Sequence, residues 1–326
     1  MTITRRRFVL GASTIAVVGQ PAISAYAQPL KTVTVGNTAP SAYSWPLLVA
    51  SNKGFYTDEG LKVETVYSGS PAASTQQLIG GSVDIAIVSY ETGIRAIAGG
   101  AQLSFVGGMM LGYPYIVMAS PDIKTAADLK GKRVVLTTPR SVLNIFWRKW
   151  LRDSGVDPAT IEYVYDPSTP NRFAALRSGT VKAAVLGQPF TWRAEEFGAK
   201  PLFDLGEATK GYGFEGIAAR RDWLAKDPDT MRAYLRATSK AIKFLYKPSN
   251  RTESIDILVR DAKVEQALAD KSYNHYFASN KPFDEKLDIP DQKFQLLLTT
   301  LQELGDVTGL STDVAHYVSR AYLPQS

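Results

Sequence analysis

The 326-residue sequence contains no cysteine. That absence excludes disulfides, thiolate metal sites and thiol nucleophiles together, and it suits an oxidising compartment as well as any other. Histidine is nearly absent too: His275 and His316 are isolated, with no H-E-x-x-H pattern around either. There is no G-x-S-x-G elbow and no phosphate-binding P-loop. Gly211–Gly216 fits G-x-G-x-x-G, but the pattern leads into a strand instead of opening a helix, so it lacks the context of a dinucleotide fingerprint. The acid pairs Asp58-Glu59 and Glu195-Glu196 are adjacent, so their carboxylates point apart along a helix. No basic stripe with interleaved aromatics is present, which argues against nucleic acid as a partner. With no convergent acid, base and nucleophile, the chain is expected not to be an enzyme and to hold neither cofactor nor metal.

Long apolar runs are missing as well. The stretch from Phe8 to Val18 is too short to span a bilayer and is broken by Gly11, Ser13 and Thr14. It follows Arg5-Arg6-Arg7 and precedes the small-residue site Ala25-Tyr26-Ala27. That order is a secretory signal with a twin-arginine pair, so residues 1–27 are expected to be a Tat signal peptide and the mature chain to act in the periplasm. No cysteine follows the cleavage site to carry a lipid. Removing three arginines leaves 34 of the 37 basic residues against 31 acidic ones, a net charge near +3 instead of +6.

What the sequence does contain is an internal repeat. Val63–Ser70 matches Ile161–Ser168 at an offset of 98 residues, and the match continues through Leu78/Leu176, Gly81/Gly179, Val83/Val181 and Ala86/Ala184. Each copy reads as strand, helix, Gly break and apolar strand, preceded by another strand (Thr32–Val35, Lys132–Leu136) and a Thr/Pro/Ser loop. The two loops are Thr38-Ala39-Pro40-Ser41 and Thr138-Pro139-Arg140-Ser141. Two βαβαβ units of this length predict an α/β protein of two lobes. Each lobe is a doubly wound, mostly parallel sheet with helices on both faces, and the two are joined by a two-strand hinge. Tyr113–Ala119 and Tyr212–Ala219 are the expected chain crossings, giving lobe 1 as 30–117 with 215–326 and lobe 2 as 118–214. Apolar stripes at Met231, Tyr234, Leu235, Thr238, Ala241, Ile242 and Leu245, and at Phe294, Leu297, Leu298, Leu301 and Leu304, are expected to pack on lobe 1.

Leu48–Val63, with its Lys53-Gly54-Phe55 step and Glu59-Gly60-Leu61, resembles the hallmark of the sulfonate/nitrate/taurine-type periplasmic solute-binding proteins. That family also includes binders of the thiamine pyrimidine precursor. Asp128–Val134 is similar to the segment that opens the second lobe in the same family. The resemblance runs through the mature chain and implies a type II two-lobed binding protein that catalyses nothing. It would be monomeric and would work with an ABC permease and ATPase subunits in the inner membrane. Eukaryotic relatives that make the thiamine pyrimidine carry a cysteine-rich motif, which is lacking here.

In such sheets, ligands bind beyond the carboxyl ends of the strands. The expected ligand-binding residues there are Thr38, Ser41, Tyr43, Gly69, Ser70, Ser89 and Tyr90 in lobe 1. Thr138, Arg140, Ser141, Gln188 and Phe214 are their counterparts from lobe 2 and the second crossing. Helix-start N–H groups and the Arg140 fork would hold a small organic anion, a sulfonate or a carboxylate, while Tyr43 and Tyr90 face its body. The alternative ligand is a neutral or aromatic heterocycle bound by stacking. Ser41, Ser70 and Ser141 also read as plain N-caps, and Trp45 and Phe214 as core or hinge packing. A secreted enzyme or a receptor-coupled sensor on the same fold are the remaining alternatives.

Overall fold

The computed structural model describes residues 29–305 and 307–325 together with Met1, so the signal-peptide reading otherwise lies outside the described residues. The strands are β1 (Lys31–Asn37), β2 (Leu61–Tyr67), β3 (Ile85–Ser89), β4 (Leu103–Leu111), β5 (Ile116–Ala119), β6 (Arg133–Leu136), β7 (Glu162–Tyr165), β8 (Ala183–Leu186), β9 (Lys200–Asp204) and β10 (Gly213–Arg220). They form two five-stranded sheets, ordered β2-β1-β3-β10-β4 and β7-β6-β8-β5-β9.

The helices are α1 (Trp45–Asn52), α2 (Phe55–Asp58), α3 (Pro71–Gly80), α4 (Tyr90–Ala98), α5 (Val142–Asp153), α6 (Thr169–Arg177) and α7 (Phe190–Glu195). They continue with α8 (Leu205–Ala208), α9 (Arg221–Lys226), α10 (Pro228–Leu245), α11 (Arg251–Ala262), α12 (Gln266–Tyr273) and α13 (Asp291–Leu304).

The repeat is written into this topology. β3 and β8 start 98 residues apart, as do α3 and α6 (Ile85 against Ala183, Pro71 against Thr169). In each sheet the first strand of a copy lies parallel between the other two, β1 between β2 and β3, β6 between β7 and β8. In each, one antiparallel strand has been added from the other crossing, β10 against β3 and β5 against β8. The central strands β3 and β8 are buried at every position, as expected for strands covered on both faces. Ser70 and Ser168, equivalent in the repeat, cap α3 and α6 by accepting from the Ala73 and Asn171 N–H groups. Each such cap is worth roughly 1 kcal/mol.

The chain crosses between sheets at 112–115 and at 205–212. β5 belongs wholly to the second sheet and β10 wholly to the first. The crossings are tied to one another: the Gly112 N–H donates to Tyr212 O (3.1 Å) and the Gly206 N–H to Tyr115 O (3.1 Å). Phe214 is packed between Tyr113 and Tyr115, with ring centroids 4.9 and 5.8 Å away. This is the hinge-packing reading of Phe214.

The apolar stripes of α10 and α13 face inward, with Met231, Tyr234, Leu235, Leu297, Leu298 and Leu301 fully buried, except that Leu304, at the end of α13, is exposed instead of packed. They pack α10 on α1 and α2, and α13 on α4 and β10, all in lobe 1. The outer edge of β4 is covered too. Gly108 and Leu111 N–H donate to Leu287 and Pro282 carbonyls, and Phe105 exchanges backbone bonds with Tyr317 and Ser319. An otherwise open strand edge is thereby closed.

The glycines of the 211–216 pattern have a packing reason. A Cβ on Gly213 or Gly216 would sit 2.6 or 2.4 Å from the Tyr90 ring. The ring lies flat on β10, and only a strand without side chains there admits it.

Candidate functional site between the lobes

A cavity of about 440 Å³ opens between the two sheets, within the range of roughly 300–1,000 Å³ that holds small molecules. Its lobe 1 wall is the loop after β1 (Asn37–Tyr43), with Gly69 and Pro71 at the start of α3. Its lobe 2 wall is the equivalent α6 start, Pro167–Pro170, with Gln188, Pro189, Phe190 and Arg193 around α7. Tyr115 comes from the first crossing and Glu215 from β10, and Lys263, Glu265 and Ser272 from the end of α11 and from α12. The carboxyl ends of strands in both lobes therefore meet at one place, as the repeat implied.

Of the expected residues, Thr38, Ser41, Tyr43, Gly69 and Gln188 line this cavity. Tyr43 bridges the lobes. Its hydroxyl lies where a Cβ on Gly187 would be, only 2.0 Å from that position, so lobe 2 backbone can approach only at a glycine. That hydroxyl is buried without a hydrogen-bond partner, and burial pushes its pKa well above the usual tyrosine value. Tyr276 packs edge-on to Tyr43 at 6.0 Å and its hydroxyl donates to Gln188 Oε1 at 3.3 Å.

The other expected residues lie elsewhere. Ser70 is occupied as the cap of α3. Ser89 is buried and shares a hydrogen bond with Thr92 Oγ1 (2.6 Å). Tyr90 is in the lobe 1 core, edge-on to Phe105 and Phe294, because the first residue of α4 turns its side chain back along the sheet instead of into the cleft. Phe214 belongs to the hinge.

Thr138, Arg140 and Ser141 form a separate junction. There Glu91 of α4 accepts from the Val142 N–H at the start of α5 (2.8 Å) and from Ser141 Oγ (3.3 Å). Arg95, one turn further along α4, donates to Arg140 O at 2.7 Å. The helix start read as an anion site is thus filled by a carboxylate of the chain itself, a favourable arrangement for both partners.

Several N–H groups at the cavity rim are similarly engaged. Those of Tyr43, Ala73 and Asn171 are taken by serine caps. Those of Thr38, Gly69 and Ser168 bond to Asn37, Thr38 O and Asp166. Pro71 and Pro170, in the first turns of α3 and α6, have no N–H to offer. Arg172, buried behind this rim, spends its guanidinium on Val185 O, Asp166 O and Thr169 Oγ1 at 2.6 to 2.8 Å.

Among the cavity groups that escaped the sequence reading are Tyr115, Arg193, Lys263, Glu215 and Glu265. Arg193 reaches the cavity from α7 with its guanidinium 5.2 Å from the Phe173 ring centre. Lys263 ends α11 in the left-handed region at φ 54°. Burial raises the Tyr115 hydroxyl pKa to about 12 and the Glu215 carboxyl to about 7. Among the described residues no hydrogen bond or ion pair reaches that carboxyl. The signal available for Glu215 was a single acid in the otherwise apolar strand Gly213-Phe214-Glu215-Gly216-Ile217.

The NMT1-like family matches residues 26–259. The chain belongs to the NMT1-like family. Among similar proteins, the putative binding protein YtlA of Bacillus subtilis is 24% identical over 297 residues, covering 86% of this chain and 85% of that protein. The nitrate/nitrite binding protein NrtA of Synechococcus elongatus is 26% identical over 163 residues, 48% of this chain. That match spans only 36% of the NrtA length. In structure, this NMT1-like chain is similar to the periplasmic aliphatic sulphonate binding protein SsuA of Escherichia coli (TM-score 0.72, 21% identity, 90% of this chain and 99% of that one). It is also similar to the periplasmic nitrate-binding protein NrtA of Synechocystis PCC 6803 (TM-score 0.71, 18% identity, 90% and 87%). The NMT1-like chain therefore has the two-lobed fold of periplasmic binding proteins. Among its described residues no helix is long and apolar enough to cross a membrane, and none of its acidic or histidine side chains cluster as a metal site would require.

Proposed function

We propose that this NMT1-like protein is the solute-binding component of an ABC importer, which captures a small molecule between its lobes and catalyses nothing. The observation that carries the reading is the cavity of about 440 Å³ bounded by repeat-related loops from both sheets. A ligand touching both walls stabilises the closed arrangement by the contacts it makes only there, so binding drives hinge closure. The protein acts as a monomer in the periplasm after twin-arginine export, and its closed form docks on a permease driven by ATPase subunits. Similarity to nitrate- and sulphonate-binding proteins supports this role.

Native mass spectrometry of freshly purified protein tests it. The expected spectrum shows one small molecule per chain, released unchanged when the protein is denatured. Conversion of the bound molecule during incubation would instead make the protein an enzyme.

Two ligand classes suit the role. One is a small organic anion, with Arg193 and Lys263 as the available cations. The other is a neutral or aromatic heterocycle held against Tyr43 and Tyr115, and the unpartnered Glu215 favours it.

A further inference from the structure

Within the solute-binding reading, on which this step rests, the lobes must close over a solute and part without one. Tyr43 and Gly187 meet where that motion ends, and each is held firmly by its own lobe. Tyr43 lies in the 3-10 turn Ala42–Ser44, fixed by the reciprocal cap of Ser41 and Ser44, and its ring packs edge-on to Tyr276. Gly187 follows β8, and its carbonyl accepts from the Phe190 and Thr191 N–H groups (2.9 and 3.3 Å) at the start of α7. Neither side can retreat far, so the approach of the lobes depends on what Gly187 lacks. A Cβ there would collide with the Tyr43 hydroxyl, and would stand 3.3 Å from Cζ of that ring and 3.1 Å from the Pro114 carbonyl oxygen.

The same contact carries a penalty. The Tyr43 hydroxyl is buried with no hydrogen-bond partner among the described residues. Gly187 O is turned into α7, and the Tyr276 hydroxyl donates to Gln188 Oε1 (3.3 Å) instead. A hydroxyl taken from water without a partner is costly, whereas one left in water is not. Gly187, which seals it, belongs to lobe 2, so the hydroxyl regains water when the lobes part. We propose that Tyr43 and Gly187 set the balance between open and closed forms. Gly187 lets the lobes meet, and the Tyr43 hydroxyl, dried on closure, makes the empty protein favour the open form. A solute offsets that penalty with the contacts it makes to both walls. The closed form offered to a permease is then a filled one.

Single-molecule energy transfer tests this in the full chain, refolded from urea so that it carries no solute. The dyes sit at Ser82→Cys and Thr180→Cys, one on each lobe and both exposed. Tyr43→Phe is expected to raise the closed-to-open ratio about fivefold or more. Gly187→Ala is expected to abolish the closed population, and Tyr43→Phe in the same chain to bring it back, because the collision is with the hydroxyl. A misfolded lobe 2 would not be rescued from lobe 1, and melting temperatures check the fold of each variant. Three results overturn the proposal and leave the solute-binding role standing. They are a ratio unchanged or lowered by Tyr43→Phe, a Gly187→Ala chain that closes as the wild type does, and a Gly187→Ala chain that Tyr43→Phe does not rescue. A single fixed distance shared by all four chains overturns hinge closure as well.

Discussion

Lobe 1 sends two glutamates toward lobe 2, and they meet opposite fates. Glu91 is received by the start of α5, where a backbone N–H and the Ser141 hydroxyl donate to it at 2.8 and 3.3 Å. Glu215 enters the cavity, and no hydrogen bond or ion pair among the described residues receives it. Both come from well-packed elements of lobe 1, helix α4 and strand β10, so the contrast does not arise from loose structure. It shows how to tell a carboxylate that holds the molecule together from one left for a partner. The first has its hydrogen bonds satisfied within the fold; the second finds none among the described residues, and burial raises its pKa to about 7.

Three substitutions probe the contrast. The largest effect is expected at Glu215. Its folded pKa of about 7 stands above the ordinary 4.5, so the folded state holds a proton that the unfolded chain releases. The stability tied to that proton is full below pH 4.5 and is lost as pH rises to about 7. Glu215→Gln should therefore raise unfolding free energy by about 3 kcal/mol near pH 8 and by almost nothing near pH 4, as read from urea melts at the two pH values. A gain of equal size at both would show that charge is not the cause.

Next in size is Glu91→Ala, which leaves the α5 start without its acceptor and should cost about 1–3 kcal/mol. Because the chain has no cysteine, labels at Ser82→Cys and Thr180→Cys, exposed and equivalent in the repeat, report the distance between lobes. That distance should lengthen in the Glu91→Ala background, and an unmoved distance with an unmoved melt would show the junction to be incidental. The smallest effect is expected at Arg140. Its loop faces α4 rather than the cavity, so Arg140→Ala should change affinity for the co-purified molecule by less than about twofold. A tenfold loss would restore the arginine as an anion clamp.

The fold was legible because its signals are local and doubled. Strand ends, serine caps and Gly breaks recur at one spacing, and the apolar stripes of α10 and α13 give their packing face directly. The cavity was half legible. Residues in the loops that end β1 and β8, such as Thr38, Ser41, Tyr43 and Gln188, follow from the rule that ligands sit beyond carboxyl ends. Tyr90 does not follow from it, because position at a strand end fixes the backbone and leaves the side chain free to turn inward onto Gly213 and Gly216. Arg140 and Ser141 failed for another reason. Their matched loop, Thr38–Ser41, lines the cavity, whereas theirs meets a glutamate 50 residues upstream that no local pattern reveals. Tyr115, Arg193 and Lys263 are brought in by the crossings, by α7 and by the end of α11. Their place depends on how the lobes meet.

The covering of β4 by 282–288 and by 317–319 has a consequence for the order of assembly. The second sheet is built from a continuous stretch, β5 through β9, residues 116–204. The first needs β10 between β3 and β4, and then nearly the last residues of the chain along its edge. Contacts separated by some two hundred residues form slowly and late. As the chain emerges from its N-terminal end, the lobe that begins first is the one that finishes last, and its long apolar strand β4 waits uncovered until residues 282–288 and 317–319 have been made. The interval in which that edge can pair with a neighbouring chain is set by the time needed to translate the residues between β4 and its cover, not by the stability of either lobe.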